Sequence, residues 1–154
     1  MADEIIQLVS FKVGEEEFGV NILQVHEINR MTEITRVPKA PDFVEGVINL
    51  RGKIIPIIDL RKRFELPTKE RDKDTRIVVV EISGQTIGFV VDSVSEVLRL
   101  PKNAIDDAPD LVTGIDAEYI KGVGKMENKL LILLDLEKIL TKKEVDKVQK
   151  MTKE

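Results

Sequence analysis

Chemistry needs convergent reactive groups, and this chain offers few. His26 is the only histidine and cysteine is absent. A zinc site takes three or four ligands of suitable type, and Glu27 alone stands beside His26, so His26 reads as a partly exposed structural histidine. The acidic stretch DDAPD (106–110), with Asp116 and Glu118, supplies carboxylates. A calcium loop sets oxygens at alternate positions, with Gly sixth and Glu twelfth; this stretch does not, and it reads as a solvated loop. GVINLRGK (46–53) evokes a phosphate loop, but it has five residues between its glycines and Ile54 where Ser or Thr would hold magnesium. It reads better as a β-hairpin. Glu15, Glu16 and Glu17 follow Gly14 as a soluble turn. No Ser–His–Asp set and no carboxylate pair beside a Gly-rich cleft can be assembled. The expectation is a protein that is not an enzyme, with no metal and no cofactor.

Composition narrows the alternatives. The 154 residues are 42% hydrophobic and 34% charged, enough for a core within a soluble chain. Aromatics make up only 4%, so Val, Ile and Leu must carry the packing. The net charge of −4, without a basic stripe interleaved with aromatics, argues against nucleic acid. Absent cysteine fits a reducing cytoplasm. The opening MADEIIQLVS lacks a basic n-region and a long apolar run, so no signal peptide is expected. No apolar run approaches the ~20 residues that span a bilayer. The expected location is cytoplasmic, without direct membrane insertion, so any work at a membrane requires recruitment by a partner.

The elements that must position any site repeat. Residues 43–64, FVEGVINLRGKIIPIIDLRKRF, match 119–140, YIKGVGKMENKLLILLDLEKIL, at an offset of 76 without a gap. Gly46 meets Gly122, Val47 meets Val123, Lys53 meets Lys129, and Asp59-Leu60 meets Asp135-Leu136. Upstream, at offset 69, Gly19 meets Gly88, Val25 meets Val94, Glu27 meets Glu96 and Arg30 meets Arg99. The offsets differ by seven residues, which marks an insertion between Arg99 and Tyr119. Such self-similarity signals a duplicated unit.

Within each unit the signals are those of short strands. IIQLVSFKV (5–13) alternates and turns at Gly14; RIVVVEI (76–82) turns at Ser83-Gly84. Two apolar runs follow, broken at Arg51-Gly52 and Glu127-Asn128. DLRKRFEL and DLEKIL read as single helical turns opened by Asp. Pro56, inside IIPII, would remove a ladder hydrogen bond and predicts an edge or bulged position. Thr141 and Glu144 have capping-box spacing ahead of Val145, Val148 and Met151, which predicts an amphipathic helix over 141–152 packed on the second unit. About five strands in some 60 residues suit a small barrel. The expected fold is mainly β: one domain over 1–154, with a barrel from 5–64, a connector at 65–74, a second barrel from 75–140, short helical turns and the C-terminal helix.

The segment FVEGVINLRGKIIPIIDLRKRF closely resembles the central signature of the CheW family of bacterial chemotaxis coupling proteins. EEEFGVNILQVHEINRMTEITRVP resembles the opening of that family's first barrel, and TRIVVVEISGQTIGFVVDSVSEVLRL that of its second. With YIKGVGKMENKLLILLDLEKIL the resemblance covers about residues 5–140. It implies two five-stranded SH3-like barrels and a non-catalytic adaptor joining the cytoplasmic tip of chemoreceptors to the regulatory domain of the histidine kinase CheA. Neither the catalytic modules of the kinase nor the receiver domain of the CheV relatives is expected within these 154 residues, so the expectation is a stand-alone coupler.

By position, the resemblance places receptor contact at Val25, Glu27 and Arg51, with Gly46 and Asn49 nearby. An arginine at a hairpin tip presents five fixed donors, an exposed valine supplies an apolar anchor, and a rim glutamate sets register. The alternative for Arg51 is a solvated turn residue. Glu27 recurs as Glu96, which suggests a shared structural duty, whereas Arg51 is replaced by Glu127, as a site on one barrel would require. Kinase contact maps to Gly88, Val94 and Val97, which read equally as core; Gly88 repeats Gly19 and could answer a backbone need alone. A coupler for another sensory kinase, such as one governing pilus motility, and a small-ligand-binding β-barrel protein remain the alternative functions.

Overall fold

The apolar, β-branched runs form strands. The computed structural model describes residues 4–67, 70–106, 119–126, 129–140, 144 and 147. Strands β1 (Ile5–Val13) and β2 (Glu16–Asn21) form a hairpin across Gly14, whose φ is 65°. There follow β3 (Val25–Arg30), β4 (Val44–Leu50), β5 (Lys53–Asp59) and the single turn α1 (Leu60–Arg63). The second repeat supplies β6 (Arg76–Ile82), β7 (Gln85–Val91), β8 (Ser93–Pro101), the two-residue β9 (Ile105–Asp106), β10 (Ile120–Met126), β11 (Lys129–Leu134) and α2 (Leu136–Ile139). The fold is mainly β, in two sheets with few short helical turns, as the sequence predicts.

The duplication is visible atom by atom. Asp59 N–H donates to the Phe43 carbonyl at 3.0 Å, and Asp135 N–H to the Tyr119 carbonyl at 2.9 Å. Asp59 then accepts from Arg61 N–H, and Asp135 from Glu137 N–H, so each carboxylate caps its helical turn.

The sheets do not follow the repeats. One runs β3-β6-β7-β5-β4 and the other β8-β1-β2-β11-β10-β9, so the first hairpin of each repeat completes the barrel of the other. We call these barrel 1 and barrel 2. Barrel 1 closes where Thr35, beyond β3, exchanges two backbone hydrogen bonds with Val47 of β4, at 2.9 and 2.8 Å. Barrel 2 closes where β9, the continuation of β8, pairs with β10. Sequence boundaries at 64 and 75 therefore divide the repeats but not the barrels.

This exchange explains why β1 and β6 are apolar on both faces. Ile77 and Val79 face a small core inside barrel 1 with Ile48, Ile55 and Ile57; Leu8 faces one inside barrel 2 with Leu100, Leu131 and Leu133. The opposite faces, Val9, Phe11 and Phe18 from one sheet and Val78, Val80 and Phe89 from the other, meet in a larger shared core. Alternation along a strand sends neighbouring side chains to opposite faces, so one apolar run serves two cores.

The position of Pro56 departs from expectation. It is buried in β5, which lies between β7 and β4 rather than at an edge. Two features remove the penalty. Val47, opposite Pro56, spends both its backbone groups on Thr35, so Pro56 occupies a non-hydrogen-bonded place toward β4. The ladder to β7 begins only at Ile57, so no donor is demanded of residue 56. Most of the C-terminal helix expected at 141–152 lies outside the described residues; Glu144 and Lys147 are helical. The acidic stretch beyond Asp106, at 107–118, also lies outside them.

Candidate functional site

The β4–β5 hairpin turns through two residues, Arg51 and Gly52, with φ of 52° and 86°. Two positive φ values make a type I′ turn, whose twist matches the flanking strands. Asn49 Oδ1 accepts from Gly52 N–H at 2.8 Å and braces the tip. Arg51 is 71% exposed, and its guanidinium reaches Glu27 Oε2 on β3 at 2.6 Å. Glu27 Oε1 accepts from Asn29 Nδ2 at 2.9 Å. The Arg51 hydrogen bond, then that of Asn29, holds the Glu27 carboxyl below its usual value, and Glu27 in turn raises Arg51. An exposed pair of this kind adds little stability, but it presents an oriented guanidinium and a carboxylate fixed through both oxygens together on a rigid tip.

The other expected receptor residues divide. Val25 is half-buried against the shared core rather than an exposed anchor, because it begins β3 where the chain crosses from one barrel to the other, paired with Val80. Gly46 is buried, with φ of 147°, and an added Cβ would lie 2.1 Å from the Thr35 carbonyl oxygen. It permits barrel closure rather than offering a surface. His26 is exposed and stands 3.7 Å from Glu81. Among the described residues no group of three or more His, Asp or Glu is placed to hold a metal.

The expected kinase residues do not cluster. Gly88 is buried in β7, and a Cβ there would stand 2.7 Å from Ile57 Cδ1 and 2.9 Å from Ile77 Cγ2. A residue in that position cannot meet a partner. Val94 is half-buried against the shared core. Val97 is 53% exposed on β8, paired with Val9. Farther along, Ile5, 54% exposed, and Leu23, 88% exposed, flank a cleft that Arg99 and Gln7 also line.

Sequence reasoning passed over α1. Arg61 and Arg63 both reach across the barrel junction, to Asp92 and to Ile139 and Glu144, and the sequence signal lies at offset 76, where the aligned residues are Glu137 and Ile139. That is the same kind of asymmetry that drew attention to Arg51.

With this geometry in place, comparison with known proteins is specific. The family model described as "CheW-like domain" matches residues 7–144. The chain is 40% identical over 147 residues to "Chemotaxis protein CheW" of Klebsiella aerogenes, covering 96% of this chain and 89% of that protein. It is 37% identical over 150 residues to the protein of that name from Treponema pallidum, covering 95% and 88%. The crystal structure of the scaffolding protein TtCheW from Thermoanaerobacter tengcongensis superposes with a TM-score of 0.85 at 40% identity, over 92% of this chain and 96% of that one.

Proposed function

The chain belongs to the CheW-like domain family, and from that premise we propose that it is a chemotaxis adaptor whose two faces join a chemoreceptor to the histidine kinase CheA. The family is non-catalytic, so the work of the site is recognition. The receptor face is the β4–β5 tip with Glu27, Asn49 and Arg51, and its occupant is the cytoplasmic tip of a methyl-accepting receptor. The kinase face is the outer side of β8 around Val97, and its occupant is the regulatory domain of CheA. Signals pass as changes of relative position between these partners. The protein works in the cytoplasm, recruited to membrane receptor arrays; among the described residues no helix is long and apolar enough to cross a membrane.

The observation that carries this reading is the oriented Arg51–Glu27 pair, 2.6 Å apart on a braced turn. The second repeat carries Glu127 at the matching position, so receptor recognition falls to barrel 1 alone. A rim arginine with free donors suits carboxylates and helix-end carbonyls of a receptor hairpin. Charge reversal, Arg51→Glu, is expected to weaken binding of a receptor cytoplasmic fragment by about tenfold or more, since like charges then face each other. Unchanged receptor affinity in a folded R51E protein would refute the assignment of this face.

A further inference from the structure

The chain passes between the barrels at two places related by the duplication, and the two are built differently. At the first, β2 leads into β3 through a short 3-10 turn, Ile22–Gln24, in which Leu23 is 88% exposed. Asn21 Oδ1 accepts from Leu23 N–H and braces only the turn itself. At the second, β7 leads into β8 through Asp92, the residue at offset 69 from Leu23.

Asp92 is the centre of a polar cross-tie. Its Oδ2 accepts from Gly14 N–H at 2.9 Å, at the β1–β2 turn of barrel 2. Its two oxygens also receive the Arg61 fork: Nε at 2.8 Å on Oδ1, and Nη2 on Oδ2. Its own N–H donates to the Lys12 carbonyl at 2.9 Å. Arg61 belongs to α1, which continues β5 of barrel 1, and its Nη1 also donates to the Pro67 carbonyl at 2.8 Å. Both charged side chains are largely covered, at 16% and 15% exposed. The Coulomb attraction in this pair is thus screened less than at Arg51.

Among the described residues, the matching place in the other repeat carries nothing comparable. Glu137 stands where Arg61 stands, and Ser83 where Gly14 stands; they share one exposed hydrogen bond of 2.8 Å. The same turn α1 makes a second asymmetric tie. Arg63 donates to the carbonyl of Ile139, its own repeat counterpart, at 2.7 Å, and forks onto Glu144 at 2.7 and 2.8 Å. Its guanidinium lies 4.7 Å from the Phe43 ring and 5.3 Å from the Tyr119 ring, another related pair.

We propose that α1 is a one-sided lock on the angle between the barrels, with Arg61 on Asp92 as its principal bolt, and that the Asn21–Val25 crossover is the side left free to yield. The shared apolar core resists separation of the barrels but is non-directional, so packed faces slide by small shear motions. A bidentate arginine–carboxylate pair adds directional geometry that apolar contact lacks. Arg61 and Asp92 are positioning residues: they set how one barrel's face is presented relative to the other's.

The absence of cysteine makes the test direct. Cysteines replacing exposed Lys53 on barrel 1 and Lys125 on barrel 2 carry spin labels, and pulsed dipolar spectroscopy reads the distance distribution. The parent protein is expected to give one narrow distribution. Arg61→Gln, or Asp92→Asn if R61Q does not fold, is expected to shift or broaden it by about twofold, with far-ultraviolet circular dichroism unchanged, as for a released shear motion. Glu137→Gln, the related position, is expected to leave it unchanged. Either of two results overturns the proposal: an unaltered distribution in a folded R61Q or D92N protein, or an equal broadening in E137Q.

Discussion

Replacing Gly46 by Ala separates a contact residue from a structural one. At Gly46 the backbone holds φ of 147°, and an added Cβ would stand 2.1 Å from Thr35 O and 2.8 Å from its carbonyl carbon. These are backbone atoms, so no side chain can swing aside. A non-glycine residue in such a sparsely populated region costs about 1–3 kcal/mol. Relieving the clash moves Thr35 from Val47 and loses two backbone hydrogen bonds, each about 0.5–1.5 kcal/mol. Together the expected loss is about 2–6 kcal/mol, a large part of a small domain's stability. Gly52 is the internal control: its φ is 86°, but nothing lies within 4 Å of an added Cβ, so Gly52→Ala is expected to cost only about 1–2 kcal/mol of backbone strain. Urea unfolding of both variants, followed by circular dichroism, makes the comparison at constant slope. Equal midpoint shifts in G46A and G52A would refute the barrel-closure account, and a receptor-binding defect in a fully stable G46A protein would return Gly46 to the contact surface.

Three further outcomes follow from the same geometry. Gly88→Ala is expected to destabilise by about 1–3 kcal/mol through overpacking, because its Cβ would press on Ile57 and Ile77 in a filled core; a thermal scan showing no loss would contradict this. Val94→Asp is expected to lower stability by about 2–4 kcal/mol by burying a carboxylate against the shared core, whereas Val97→Asp, on the exposed side of β8, is expected to leave the unfolding midpoint nearly unchanged while weakening kinase-domain binding in calorimetry. For Glu27, whose folded pKa is depressed by Arg51, any stabilisation is present above the unfolded glutamate value and fades as pH falls through the lower folded one; carboxyl-detected NMR is expected to show Glu27 titrating below the usual glutamate range in the parent and moving up in Arg51→Gln, and a titration unmoved by R51Q would show that the ion pair does not form in solution.

Local features were legible in the sequence because their causes are local. The hairpins at Gly14, Arg51-Gly52 and Ser83-Gly84 carry the positive φ values that such turns need. Asp59 and Asp135 cap their helical turns as their positions suggested. The repeat itself was plain because residue types recur at fixed offsets. Strand partnership was not legible: a run such as RIVVVEI states that both its faces are buried, but not which barrel receives it. Pro56 misled for the same reason, since its tolerance depends on Thr35 capturing Val47 from a distant segment. Gly46 and Gly88 were legible as glycines that recur, yet only packing distances assign them to closure and core. Val25 looks like a surface anchor by family position and is half-buried because the crossover carries it over the shared core. The Arg61–Asp92 tie joins residues 31 apart in the chain, and no spacing rule connects them.

The most direct test of the adaptor account is a three-component assembly. The purified protein, a receptor cytoplasmic fragment and the CheA regulatory domain are mixed and separated by sedimentation velocity. The account predicts a ternary complex in which both partners bind at once, with R51E losing the receptor but keeping the kinase domain, and V97D losing the kinase domain but keeping the receptor. Mutually exclusive binding of the two partners, or loss of both from either single substitution in a folded protein, would contradict it.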